Sequence, residues 1–393
     1  MGNANTNFKG INTKRATSSC GDLQNQVIVD FTGNSSLTSR ESHQSFSNTS
    51  RPWFKNSKKR WKRSVSSHDI SKTAWPVSRI EQVFLPEFPS SPQVRNQQFA
   101  IVDDIATGSF GKVFRIQDLK THNYYALKVL PKSQIIKDNC IEQVKNEVLI
   151  QAACGHHPFI VKCHSYWQSK KQLFIVTDYI EGGELFALLK TYSSLPLDLV
   201  KIYVAELAIV LDFLHNAGVI YRDLKPENIL LDREGHLYLT DFGLSKWLSF
   251  GVKTRTLCGT LRYMAPEVIS LQLYGHAADW WSLGVITCLM MLGQFPVSAV
   301  ANENNEKSDN RKKPGTLPDD IFIDNASKDL LLRLLEVDPT KRLRSLRVMK
   351  TIAFFKGFNF EAIEAKQVRP SDILEKRFPA GPPSINEIHF NDF

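Results

Sequence analysis

The segment from Tyr221 to Asn228, with Asp241 thirteen residues beyond it, constrains this chain more than any other feature. The segment is Tyr-Arg-Asp-Leu-Lys-Pro-Glu-Asn, and Asp241 opens the triplet Asp-Phe-Gly. This stretch combines a carboxylate for a hydroxyl proton, a lysine for phosphate, and amide and carboxylate oxygens for a metal ion. Transfer of a γ-phosphoryl group depends mostly on positioning and on neutralising charge. The order and spacing therefore predict phosphoryl transfer.

The sequence resembles the eukaryotic protein kinases in this segment and in the motifs around it. The resemblance implies that Asp223 accepts or orients the proton of the substrate hydroxyl and that Lys225 steadies the transferring phosphate. Asn228 and Asp241 would ligate Mg²⁺. ATP and Mg²⁺ are the implied cofactors.

A glycine-containing loop lies upstream at residues 105–113, where Ala106 replaces the usual first glycine. In the family, this loop folds over the phosphates of ATP. Lys128 would reach the α- and β-phosphates and pair with Glu147 on a predicted helix. Gln151 lies four residues after Glu147, where the family has an apolar residue. The resemblance implies an ATP-binding set of Ile105, Ala106, Thr107, Gly108, Ser109, Phe110, Gly111, Lys112, Val113, Ala126, Lys128, Glu147 and Thr177.

The downstream motifs of the family are also present. Residues 259–267 match the end of the activation segment, and residues 279–284 match the buried helix behind the catalytic loop. The resemblance makes Arg342 the expected partner of Glu267.

Within the kinases, the chain resembles the AGC group, which is related to the cAMP-dependent and ribosomal-protein kinases. Tyr221 replaces the histidine of most kinases, residues 256–260 match the activation-loop signature of the group, and Phe390 and Phe393 form an aromatic pair at the tail. The resemblance implies that these two rings fold into an apolar pocket beside the helix of Glu147.

The activation segment carries two threonines to which the resemblance gives roles. Thr256 is the expected phosphorylation site of an upstream kinase, because a phosphate there could pair with Arg222 and Lys246. Thr260, together with Lys225, favours serine or threonine as the acceptor. Protein substrates are therefore expected.

Two carboxylates match positions where basophilic relatives bind arginine before the target hydroxyl. They are Glu184 and Glu227, and carboxylates pair well with guanidinium. Leu289 replaces a further glutamate of the cAMP-dependent kinase, so selection for a second arginine should be weaker.

The resemblance implies a bilobal α+β fold, and the local patterns agree with it. Residues 173–176 form an apolar run typical of a buried strand. The expected kinase domain covers residues 99–355, with a β-rich small lobe at 99–177, a hinge at 178–181, a helical large lobe at 182–355 and an AGC-type tail at 356–393.

The leader, residues 1–95, differs in composition from the rest of the chain. The first 100 residues hold 14 Lys and Arg against 6 Asp and Glu, whereas the other 293 hold 35 against 34. Ser, Asn and Thr are abundant in the leader, and periodic apolar residues are few. This composition predicts a largely disordered, basic leader.

The leader also carries two membrane-binding patterns. Gly2 begins a match to the N-myristoylation pattern, with Thr6 as its hydroxyl residue. Residues 51–63 hold seven basic and three aromatic residues and no acidic residue. One acyl chain plus a basic cluster suffices for attachment to an anionic membrane. An unmodified tail, or a segment for nuclear import or nucleic-acid binding, remains an alternative.

No long apolar run or signal peptide is present, which predicts a cytoplasmic protein attached to the cytosolic face of a membrane. The nearly neutral kinase region disfavours nucleic acid as a partner, and we expect a monomer. The main alternative is a pseudokinase that acts as a membrane-recruited scaffold. Its usual losses, at Lys128, Asp223 or Asp241, are not seen in the sequence. A lipid or small-molecule kinase is a weaker alternative.

Overall fold

The computed structural model describes residues 78–90, 99–108, 111–249, 251–298, 313–319, 322–379 and 381. Several predicted features lie outside these residues, namely Gly2, the basic run at 51–63, Ser109, Phe110, Phe390 and Phe393.

The described chain begins with a short helix, α1 (Arg79–Val83), and an irregular segment that continues to residue 90. Phe84 and Phe88 in this segment are fully buried. Composition predicted a largely disordered leader at residues 1–95, and within that range residues 78–90 form this helix and a packed irregular segment. The two rings supply apolar surface that drives packing against the small lobe.

The small lobe is built on one antiparallel sheet of five strands in the order β1-β2-β3-β5-β4. Two helices, α2 and α3, connect β3 to β4 on one face of this sheet. The bounds are β1 (Phe99–Gly108), β2 (Gly111–Asp118), β3 (Tyr124–Pro131), α2 (Lys132–Lys137), α3 (Ile141–Cys154), β4 (Cys163–Gln168) and β5 (Gln172–Asp178).

The large lobe is mainly helical, with two small pairs of strands, β6 with β9 and β7 with β8. Its elements are α4 (Leu185–Tyr192), α5 (Leu197–Asn216), β6 (Val219–Ile220), β7 (Ile229–Leu231), β8 (Leu237–Leu239), β9 (Lys246–Trp247), α6 (Pro266–Ile269), α7 (Ala277–Leu292), α8 (Asn325–Leu334), α9 (Leu346–Met349), α10 (Phe360–Glu364) and α11 (Pro370–Arg377). The bilobal α+β fold is thus confirmed.

Core packing differs between the lobes. One continuous apolar cluster fills the large lobe, and every residue of α7 from Ala277 to Met290 is buried. The small lobe has two smaller clusters on opposite faces of the sheet, since Leu173 and Ile175 of β5 point to one and Phe174 and Val176 to the other.

None of the helices in the described residues is both long and apolar enough to cross a membrane.

Candidate active site

The structure brings the predicted catalytic residues into one hydrogen-bonded group. Asp223 Oδ1 accepts a hydrogen bond from Thr260 Oγ1 at 2.9 Å, and Oδ2 accepts one from Asn228 Nδ2 at 2.9 Å. Lys225 Nζ lies 2.9 Å from Asp223 Oδ2 and donates to Thr260 Oγ1 at 3.0 Å. The Asp223 carboxylate and the Lys225 ammonium are therefore held at fixed positions beside each other.

The buried carboxylate of Asp279 accepts hydrogen bonds from the backbone of this catalytic loop. Asp279 lies in the first turn of α7 with 1% of its surface exposed. Its carboxylate accepts the N–H groups of Tyr221 at 2.9 Å and Arg222 at 2.8 Å, and lies 2.8 Å from His215 Nε2. Arg222 has a φ of 73°, a costly conformation that these bonds help to maintain. The sequence motif indicated a buried helix here but not this carboxylate–backbone contact.

Lys128 of β3 and Glu147 of α3 meet across the small lobe. Lys128 Nζ lies 2.6 Å from Glu147 Oε1 and 3.7 Å from Asp241 Oδ1. Burial acts against the charge of Lys128, but the two carboxylates outweigh it and raise the pKa of the ammonium above its ordinary value. The lysine is thus a cation at neutral pH and is available to a phosphate group.

A cavity of about 480 Å³ separates the sheet from the large lobe. Most of the predicted ATP-binding residues line it: Ile105, Ala106, Thr107, Gly111, Val113, Ala126, Lys128, Glu147 and Thr177. Lys112 lies in β2 but does not line the cavity, and Gly108 is the last residue of β1. Val161, Leu230 and Thr240 also line it and were not predicted. Each is a single residue without a motif, so only the fold identifies it.

The donor set at the inner end of this cavity fits Mg²⁺. Asn228 and Asp241 both line the cavity and supply amide and carboxylate oxygens, which are the ligand types that this ion prefers. The amide nitrogen of Asn228 donates to Asp223, which leaves its oxygen as the atom for a metal ion. Gly243 N donates to Asp241 Oδ1 at 3.2 Å and helps to fix that carboxylate.

Glu184 and Glu227 both line the cavity and lie close enough for their charges to interact. Burial, and then the charge of Glu227, raise the pKa of Glu184. Glu227 Oε2 is buried and has no hydrogen-bond partner among the described residues. The two carboxylates thus repel each other, and among the described residues no ion pair with a cation is formed by either.

The activation segment is held close to a lysine. Lys246 Nζ donates to Thr254 Oγ1 at 3.4 Å, and the hydroxyl of Thr254 lies 3.5 Å from that of Thr256. Tyr274 donates its hydroxyl to the carbonyl of Thr256 at 2.6 Å. Arg222 Nη1 is buried without a hydrogen-bond partner among the described residues.

Glu267 and Arg342 form a buried pair at the end of the activation segment, as the sequence predicted. Arg342 donates from Nη1 to Oε1 at 2.7 Å and from Nη2 to Oε2 at 2.9 Å. Both side chains are almost fully buried. This two-bond geometry attaches the segment to the core of the large lobe.

The comparisons with known proteins agree with this geometry. The protein kinase domain family matches residues 99–354. A Homo sapiens relative, "Ribosomal protein S6 kinase-related protein", is 39% identical over 323 residues, which cover 81% of this chain and 77% of the relative. The "cAMP-dependent protein kinase catalytic subunit" of Dictyostelium discoideum is 36% identical over 73% of this chain and 44% of the relative.

A third relative, "Serine/threonine-protein kinase AtPK1/AtPK6" of Arabidopsis thaliana, is 37% identical over 70% of this chain and 58% of the relative. The chain thus spans three quarters of the human relative's length but less than two thirds of the other two. For a protein kinase, the phosphate donor is ATP and the metal is typically Mg²⁺. The chain belongs to the protein kinase family, and it is an AGC-group serine/threonine kinase.

Proposed function

We propose that this kinase phosphorylates serine and threonine residues that follow arginine in protein substrates, and that its leader holds it at an anionic membrane surface. The pair of Glu184 and Glu227 carries the arginine preference. A guanidinium between them would relieve their mutual repulsion and donate to Glu227 Oε2, which has no partner within the described part of the chain.

The catalytic roles follow from the group around Asp223. Its carboxylate would orient the acceptor hydroxyl and take up its proton, while the Lys225 ammonium would neutralise charge on the transferring phosphoryl group. Lys128 would position the donor phosphates. Asn228 and Asp241 would hold Mg²⁺, which supplies further charge neutralisation at the phosphates.

Phosphorylation of Thr256 by an upstream kinase would order the activation segment. Lys246 is connected to Thr256 through the hydroxyl of Thr254, and Arg222 has a buried nitrogen with no acceptor among the described residues. A phosphate contributes strong acceptor oxygens for such cations.

The arginine preference is tested with a library of serine peptides in which arginine is placed at each upstream position. We expect kcat/KM to rise with arginine at one or two positions and this gain to fall about tenfold in Glu227→Gln and Glu184→Gln. Asp223→Asn is the control for catalysis and should abolish transfer. If both glutamine variants keep the full arginine gain, the carboxylate pair does not select the substrate.

The membrane proposal rests on the Gly2 pattern and on the basic run at residues 51–63, both outside the described residues. It is tested by sedimentation of the N-myristoylated chain with vesicles of phosphatidylcholine alone or with phosphatidylserine. Binding should require phosphatidylserine, and it should fall in Gly2→Ala and after replacement of the seven basic residues by glutamine. Equal binding to both vesicle types would contradict the electrostatic part.

A further inference from the structure

The small lobe contains an apolar pocket between α2, α3 and β5, and the leader fills it. Phe84 and Phe88 are 0% exposed, and their rings lie edge-on with centroids 6.5 Å apart. Phe88 also contacts the ring of Tyr166 at 5.7 Å. The other buried residues of this cluster are Leu130, Ile135, Val144, Val148, Leu173 and Ile175. The pocket therefore takes an aromatic pair from residues 78–90, which we call the leader strap.

Polar contacts fix the strap at the rim of the pocket. Gln168, at the end of β4, donates from Nε2 to the carbonyl of Phe88 at 2.5 Å and from its backbone to that of Pro89 at 3.2 Å. Lys132 Nζ donates to Gln168 Oε1 at 2.5 Å and lies 5.3 Å from the ring centroid of Phe84. The side-chain amide and backbone N–H of Gln168 have these carbonyl acceptors only when the strap is in place.

The strap is also connected directly to the helix that carries Glu147. Lys145 of α3 lies 2.9 Å from Glu87 Oε2, and it donates to the carbonyl of Leu85 at 3.4 Å. Burial opposes ionisation of Glu87, but Lys145 and a hydrogen bond from the backbone together outweigh it and lower the pKa of the carboxyl. Val144 and Val148, on either side of Glu147 in sequence, belong to the same buried apolar cluster as the two aromatic rings. An ion pair and an apolar contact thus hold α3 on both sides of its catalytic glutamate.

We propose that the leader strap is a built-in ligand of the small lobe that places Glu147 against Lys128, with Phe84 and Phe88 as positioning residues for phosphoryl transfer. The family resemblance predicted that Phe390 and Phe393 of the tail, which lie outside the described residues, fold into an apolar pocket beside the helix of Glu147. Since the strap rings are fully buried in the pocket, the tail rings and the strap exclude each other there.

A binding experiment tests the occupant without relying on catalysis. A fluorescent peptide of residues 78–90 is titrated into the full chain and into the full-length double variant Phe84→Ala/Phe88→Ala. The variant, with its pocket vacated, should bind the peptide at least tenfold more tightly than the wild type. A peptide of residues 381–393 should not bind the wild type. The proposal is overturned if the folded variant does not bind the strap peptide, or if the tail peptide binds the wild type.

Activity measurements test the positioning role in the same proteins. The double variant should lose at least tenfold in kcat, and the strap peptide should restore it in a saturable manner, whereas a peptide with both phenylalanines replaced by alanine should not. Undiminished activity, or a loss that no concentration of bound strap peptide reverses, overturns the positioning role.

A charge swap keeps the test decisive if the double variant does not fold. Glu87→Lys leaves both rings in place but sets two cations against each other at α3. It should reduce kcat several-fold and speed amide hydrogen exchange in α3, and the added change Lys145→Glu should reverse both effects. If Glu87→Lys alters neither quantity, or the second change restores neither, the strap does not position α3.

Discussion

The two lobes hold their catalytic charges in different ways. In the large lobe, the loop of Asp223 is attached to Asp279, a buried carboxylate on a helix inside a continuous apolar core. In the small lobe, Lys128 and Glu147 join a sheet to a helix, and the apolar cluster under that helix includes two rings from the leader. The geometry of the large lobe is therefore intrinsic to its core, whereas that of the small lobe depends on what covers α3.

The largest effect on stability should come from breaking the buried pair in the large lobe. Arg342→Met leaves the Glu267 carboxylate without its cation in a site that excludes water, which we expect to lower the free energy of unfolding by about 3–5 kcal/mol. Urea unfolding measures this loss. As the control, Arg333→Met removes an exposed ion pair with Asp329 and should lower the free energy of unfolding by less than about 1 kcal/mol. Equal losses would show that the large-lobe core does not depend on the buried pair.

In the small lobe, removal of the catalytic ion pair should affect activity more than stability. Glu147→Gln removes the charge that holds Lys128, and we expect kcat to fall on the order of 100-fold, or about 2.7 kcal/mol in the barrier. The free energy of unfolding should change by less than about 1 kcal/mol, because the new amide is neutral and Lys128, whose side chain is 28% exposed, still lies 3.7 Å from Asp241. Glu142→Gln, exposed on the same helix, is the matched control. A collapse of stability would remove the contrast between the lobes.

The site could be predicted where chemistry prescribes both residue type and spacing. Asp223, Asn228 and Asp241 were named from the sequence; Asn228 and Asp241 line one cavity, and Asn228 donates a hydrogen bond to Asp223. The pair of Glu267 and Arg342, 75 residues apart, followed from the family resemblance.

The strap could not be predicted in the same way. Phe84 and Phe88 are two aromatic residues within a polar, basic leader, and nothing in their spacing distinguishes them from scattered apolar residues. Their pocket is formed by single residues from α2, α3 and β5 that meet only in the folded lobe. Asp279 was found as part of a helix motif, but its bonds to the loop backbone depend on tertiary packing.

A smaller effect is expected at Gln151, which lies on α3 where the family has an apolar residue. Its side chain is 3% exposed, and Nε2 donates to the carbonyl of Val161 at 2.9 Å. Gln151→Leu leaves that carbonyl without this donor, so stability should fall by about 1–2 kcal/mol despite the added apolar surface. The control is Gln134→Leu, at a surface amide of α2, which should change the free energy of unfolding by less than about 0.5 kcal/mol. A stabilised Gln151→Leu would show that α3 packs as an ordinary apolar spine.

The smallest effect is a pH dependence specific to the strap pocket. Burial lowers the pKa of Lys132 from 10.5 to about 8, although Glu81 acts in the opposite direction. Between pH 7 and pH 9 the folded lysine loses its proton while the unfolded lysine keeps it, so the unfolded state binds more protons and the free energy of unfolding rises with pH. From pH 7 to pH 9, the free energy of unfolding of the wild type should rise by about 1 kcal/mol more than that of Lys132→Met. Urea unfolding of both proteins at each pH measures the difference. A constant difference would mean that Lys132 is hydrated, and that the strap does not seal this side of the small lobe.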